Sequence, residues 1–143
     1  MNTTEIREVR LNYGPAVTGP IVNQPRVIVD FLREIAPNNS QEHVIAVYLD
    51  GKHAPIGYSV ISTGLATSCP VHPREVFQRA VCLGACAVVM AHNHPSGSVK
   101  WSPEDAEVTK KIKDAGVVLG IKLLDHIIFT DTEFYSFMED GRL

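Results

Sequence analysis

The sequence predicts an α/β sandwich, a mixed β-sheet covered by helices, and three observations predict it. Helical and extended patterns alternate along the chain in the order α, β-β, α, β, α, β-β. Two runs, His43–Leu49 and Ala87–Ala91, are apolar on both faces, as strands in the middle of a covered sheet are. Three other segments repeat apolar residues at helical spacing and leave a polar face for water. The 143 residues, 45% hydrophobic and 20% charged, suit one domain with one core.

Each element has its own justification. Ile6, Val9 and Leu11 alternate imperfectly and fit an edge strand. Asn12–Pro20, broken by glycines and prolines, is loop. Asn23 is placed to cap a helix whose apolar face is Val27, Ile28, Phe31, Leu32 and Ile35. Pro25 suits its first turn and Pro37 stops it. His43–Leu49 follows as a central strand, Asp50-Gly51 turns the chain, and Ile56–Ser62 returns as a second strand. His72–Ala85 is helical, opened by Pro73, with Val76, Phe77, Ala80 and Val81 on one face. Ala87–Ala91 is a short buried strand. Ser102–Ala115 is an amphipathic helix ended by Gly116. Ile121–Thr130 makes one or two strands, and Phe134–Met138 adds a last one. The organisation expected is an N-terminal strand and loop extension over 1–22, then a single domain over 23–143.

Bulk properties narrow the function. The formal net charge is −3. Lys110, Lys111 and Lys113 sit together but are surrounded by Asp105, Glu107 and Asp114, so no basic stripe is built for a phosphate backbone. No apolar run approaches the length of a membrane span. The polar start Met1–Arg10 resembles neither a signal nor a transit peptide, so a cytoplasmic location is expected. Cys69, Cys82 and Cys86 give no even disulfide framework. Cys82 and Cys86, four apart in a helical pattern, are expected as buried small hydrophobes. A metal or redox pair is the rival reading.

The chemistry lies in Ala91-His-Asn-His-Pro-Ser-Gly-Ser-Val-Lys-Trp-Ser-Pro-Glu-Asp105. Residues two apart in a strand share a side, so His92 and His94 face one point while Asn93 points away. They stand at the C-terminal end of a buried strand, where open α/β sheets place their sites. Asp105 falls in the first turn of a helix, whose partial positive charge keeps a carboxylate ionised and fit to bind a metal. Two imidazoles and one carboxylate leave a fourth tetrahedral position open, the arrangement of catalytic zinc. A water there becomes a nucleophile near neutral pH. The plainer reading of the same residues is a helix cap, Ser102 at the N-cap and Asp105 at N3, beside two surface histidines. The combination favours the metal, and the two roles are compatible.

His92, His94, Ser102 and Asp105 match the spacing of the JAMM (MPN+) metalloprotease signature, and the sequence resembles that family. The segments His72-Pro-Arg-Glu75, His92–Gly97 and Leu124-Asp-His-Ile-Ile128 look like its RadC-like branch, from about Asn23 to the C-terminus. The resemblance implies an MPN/JAB-like three-layer sandwich and one zinc ion per chain. It also implies a Glu where the first long helix gives way to the first core strand, and Glu42 holds that place. Glu42 would take a proton from the attacking water and deliver it to the leaving amine. Ser102 would donate a hydrogen bond to the developing oxyanion. Glu34 and Glu75 are the rival carboxylates, and a solvated strand-edge Glu is the plain alternative. Asp125 and His126 belong to the branch motif, either as partners behind a zinc histidine or as a core histidine satisfied by its neighbour. His43, His53 and His72 are expected to be surface or structural. Trp101 either lines a substrate groove or covers the site.

The implied activity is a zinc-dependent peptidase or isopeptidase acting on a peptide or protein, with ubiquitin-like partners among the substrate types. The alternative is a catalytically idle MPN-type binding module in a DNA-repair or protein complex. Full-length RadC-like proteins carry a helical N-terminal region similar to helix-hairpin-helix DNA-binding modules. Only Met1–Val22 precedes the first helix here, and the acidic balance also argues against a nucleic-acid partner. A zinc nucleobase deaminase would need His-x-Glu and Pro-Cys-x-x-Cys, and neither is present.

Overall fold

The computed structural model describes residues 2–17, 19–64 and 71–143. Cys69 lies outside them. The elements are α1 (Pro25–Ile35), β1 (Glu42–Leu49), β2 (Pro55–Gly64), α2 (Pro73–Leu83), β3 (Ala87–Asn93), α3 (Pro103–Leu119), β4 (Lys122–Phe129) and β5 (Phe134–Ser136). The strands form one sheet in the order β2-β1-β3-β4-β5. Only β3 and β4 run parallel, joined through α3; the other neighbours are antiparallel. The expected mixed sheet with helices on its faces is therefore present.

Strand alternation sorts the core into two halves. Ile45, Val47 and Leu49 of β1, Ala87, Val89 and Ala91 of β3, and Ile127 and Phe129 of β4 pack under α1 through Ile28, Val29, Phe31 and Leu32. Ala46, Tyr48, Val88, Met90 and Leu123 pack on the other face against Val76, Phe77 and Ala80 of α2 and Ile112 of α3. This second half leads to the site, because Glu42 and His92 continue the same alternation.

Several boundaries differ from the sequence expectation. Gln24, not Asn23, is the N-cap of α1, and no side chain caps it; Pro25 in the first turn removes one of the otherwise unpaired amides there. Val81 of α2 is exposed rather than in the packed face. The helix expected to stop at Gly116 runs to Leu119, and Gly120, in the left-handed region at φ 70°, caps it. Gly116 serves packing: a Cβ there would overlap the Ile121 carbonyl oxygen and press on Phe77. Ile121–Thr130 yields one strand. No strand forms over residues 2–17, where Ile6, Val9 and Tyr13 are exposed. Cys82 and Cys86 are free and exposed, against the expectation of burial. Cys82 lies off the packed face of α2, and the cap at Gly84 ends the helix before Cys86. Among the described residues, no helix is long and apolar enough to cross a membrane.

Candidate metal centre

The topology brings distant residues to one sheet end. Because β1 and β3 are antiparallel, with Val44 opposite His92, the start of β1 lies beside the end of β3. Strand β3 continues past Ala91 and carries His92 at its rim. His92 Nε2 is 3.0 Å from His94 Nε2. It is also 3.5 Å from Asp105 Oδ1 and 3.8 Å from Glu42 Oε1. Donor atoms of Glu42, His92 and His94 all lie within 4.8 Å of one another, close enough to hold one metal ion. Asp105 approaches His92 but is not one of the three residues whose donor atoms are mutually that close, where the sequence expectation had it rather than Glu42 as the third ligand. Glu34 is exposed and Glu75 sits in the first turn of α2, so neither rival carboxylate belongs to this group.

The hydrogen bonds assign the protons. The Thr109 hydroxyl donates to the Asp105 carbonyl at 2.7 Å, since a carbonyl only accepts. Thr109 Oγ1 also lies 2.5 Å from His126 Nδ1, so with its own proton already given His126 donates to it. Burial, reinforced by the neighbouring His92, holds His126 well below its ordinary pKa. A neutral ring with its proton on Nδ1 carries a lone pair on Nε2, which accepts from His92 Nδ1 at 2.8 Å. His94 Nδ1 donates to the Ser98 carbonyl at 2.7 Å. Both Nε2 atoms are thereby left as lone pairs that face each other, with two carboxylates close by. Such a cluster of acceptors favours a cation between them, and its nitrogen and oxygen donors could hold a divalent metal ion.

Asp105 resolves the conflict between cap and ligand by dividing its two oxygens. Oδ2 accepts from the Ser102 amide at 2.9 Å, and Ser102 Oγ accepts from the Asp105 amide at 3.1 Å, a reciprocal capping box. Oδ1 remains turned toward His92. Burial alone would raise the Asp105 pKa, but a hydrogen bond from His92, made when its Nε2 carries a proton and no metal is bound, and the Ser102 donors outweigh it and hold the carboxyl well below its usual range. The loop after β3 folds back on His94, with Gly97 N–H donating to the His94 carbonyl at 3.1 Å.

His126 reaches the site through a β-bulge. Val88 pairs with Leu123 and Val89 with Asp125, so Leu124 is an extra residue in β4. Leu123 and His126 consequently share the face toward α2 and α3. The Asp125 carboxylate accepts from the amides of His126 and Met138 and from the Ser136 hydroxyl, backbone and hydroxyl donors rather than the His126 ring. Burial raises its pKa above the ordinary value. His126 thus stands behind a site histidine rather than being satisfied by its neighbour. Thr109 was not anticipated; its signal is the position one helical turn after Asp105. His43 is buried with Nδ1 against Thr63 Oγ1, His53 sits in a turn at φ 62°, and His72 caps α2. Trp101 packs against Phe137 and beneath the Arg142 guanidinium, half-buried.

Residues 22–142 match the RadC-like JAB domain family. The chain is 41% identical over 122 residues to a UPF0758 protein of Shouchella clausii, covering 85% of this chain and 53% of that protein. It is 42% identical over 124 residues to one of Rubrobacter xylanophilus, covering 87% and 54%. For one of Trichlorobacter lovleyi the figures are 43% over 119 residues, covering 83% and 52%. The chain therefore spans about half the length of the curated relatives it matches. On the family match and these identities, the chain belongs to the RadC-like JAB domain family.

Proposed function

We propose that this chain is a zinc-dependent hydrolase of amide bonds, a peptidase or isopeptidase, with one ion per chain held by His92, His94 and Asp105. The observation that carries the reading is the proton chain from the Asp105 carbonyl through Thr109 and His126 to His92, together with the His94 bond to the Ser98 carbonyl, which leave the two Nε2 lone pairs converging beside carboxylate oxygens. A structural zinc site normally takes all its ligands from protein, whereas three such ligands leave a position for chemistry. Bound zinc supplies the Lewis acidity that makes water a nucleophile near neutral pH. His92 and His94 bind through Nε2, with their Nδ1 protons held by His126 and by the Ser98 carbonyl. Asp105 binds through Oδ1 while Oδ2 keeps the helix cap. Glu42, at the mouth of the group, takes the proton of the attacking water on its carboxylate and hands it to the leaving nitrogen. Ser102 donates a hydrogen bond from its hydroxyl to the substrate oxygen as charge develops there. Peptide and protein amides, including those beside ubiquitin-like tails, are the substrate class that this machinery serves.

The test is metal content by plasma mass spectrometry on the wild type and Asp105→Ala, followed by a peptide and isopeptide screen with Glu42→Gln as control. About one zinc per chain, lost in Asp105→Ala, is expected. Glu42→Gln should keep the metal and lose about 10²-fold or more in turnover. No bound metal in the wild type after zinc is supplied would sink the reading and leave an idle binding module as the better account.

A further inference from the structure

Resting on the hydrolase reading, we propose that Asn93, the residue between the two histidines, is the positioning residue for Glu42. Its side chain points away from the imidazoles and is 3% exposed. Its Oδ1 accepts from the His43 amide at 2.7 Å, and its Nδ2 donates to the Gln41 carbonyl at 2.9 Å. These two backbone groups flank Glu42 on either side. The partners also fix the carboxamide's orientation, since an amide N–H can only donate and a carbonyl can only accept.

The clamp sits where the sheet stops supplying one. The β1–β3 ladder ends at Val44 opposite His92. Gln41 O and His43 N–H point to the same side of β1, the side on which β3 would have continued. The Asn93 carboxamide offers one donor and one acceptor to those groups, as a backbone peptide would, and extends the ladder by a rung. On the other side Glu42 and His43 pair with Gly64 and Thr63 of β2. A single three-residue stretch therefore aims two imidazoles to one face of the sheet and, with the side chain between them, anchors the strand that carries the proton carrier.

This requires a group that both donates and accepts. Asp keeps the bond from His43 N–H but sets an anionic oxygen against the Gln41 carbonyl; Ala loses both bonds. Freed of the clamp, the start of β1 shifts Glu42 relative to His92 and His94. A displacement of about 1 Å in a catalytic group costs on the order of 10²-fold in rate.

The test compares wild type, Asn93→Ala and Asn93→Asp, each also combined with Glu42→Gln. Both Asn93 variants should hold stoichiometric zinc at wild-type KM, with kcat lower by about 10²-fold for Ala. In the Glu42→Gln background the same substitutions should cost nothing further, because the residue acts through Glu42. Wild-type kcat in Asn93→Ala, or an equal loss in both backgrounds, would overturn the assignment. If Asn93→Ala does not fold, Asn93→Asp carries the same comparison. An arm independent of activity is amide hydrogen exchange. Asn93→Ala should lose protection at His43 by about tenfold or more while Ala46 and Val47 keep theirs. Unchanged protection at His43 overturns the clamp. An inactive wild type with the expected exchange pattern would instead refute the hydrolase reading and leave the anchoring of β1 intact.

Discussion

Replacing Thr109 with Val keeps the shape of the side chain and removes the hydroxyl that orders the protons behind His92. Thr109 and His126 are 3% and 2% exposed, so solvent does not replace the lost acceptor. In Thr109→Val the His126 Nδ1–H faces no acceptor. The ring relieves this by moving its proton to Nε2, which then donates to His92 Nδ1 and drives the His92 proton onto Nε2, the atom proposed to bind the metal. Binding zinc must reverse that change and again leave a buried N–H unpaired, a cost of about 1–3 kcal/mol. At tenfold per ~1.4 kcal/mol, zinc affinity should fall by about 5- to 150-fold. The assay is competition against a chromophoric chelator on wild type, Thr109→Val and Thr109→Ser. The Ser variant retains the hydroxyl and should stay within about threefold of wild type, since a methyl group has no part in the proton chain. Wild-type affinity in Thr109→Val, or an equal loss in Thr109→Ser, would refute the proton assignment.

Two further outcomes test the packing and the electrostatics. Gly116→Ala should destabilise the fold by about 1–3 kcal/mol in urea unfolding, because overpacking against Ile121 and Phe77 exceeds the gain of about 1 kcal/mol in helix propensity; a stabilised variant would show that the turn after α3 yields freely. For Asp125, burial raises the folded-state pKa above 3.8, so the folded chain holds that proton more tightly than the unfolded chain. The resulting stabilisation is complete below the ordinary carboxylate value and is lost as pH rises through the raised one. In metal-free protein, Asp125→Asn should therefore gain stability relative to wild type as pH is raised from about 3.5 to about 7, and a pH-independent difference would contradict the burial argument.

Much of the architecture was legible in local pattern. The two-faced apolar runs of β1 and β3 and the one-faced stripes of α1 and α2 follow from periods of 2 and 3.6 against a core, and such patterns survive any detail of packing. His92, His94, Ser102 and Asp105 were visible for a similar reason: a strand end and a helix start in quick succession leave little freedom in where their side chains meet. Helix ends were less legible. Gly116 and Gly120 are equally good stop signals in sequence, and the choice between them depends on the close approach of Ile121, which only the folded turn creates. The exposure of Cys82 and Cys86 likewise turned on which way α2 rolled onto the sheet and where its cap fell.

The sequence by itself determined the layers, the order of elements and the short stretch that supplies imidazoles and a capping carboxylate, because these depend on residues near one another in the chain. Tertiary structure alone decided how that stretch is served from a distance. A bulge in β4 turns His126 toward His92, Thr109 sets the proton on His126, and Asn93 reaches across to the backbone on both sides of Glu42. Each of these contacts joins elements brought together by strand pairing and helix docking, and a hydrogen bond a few tenths of an ångström from its limit is not encoded in any local period.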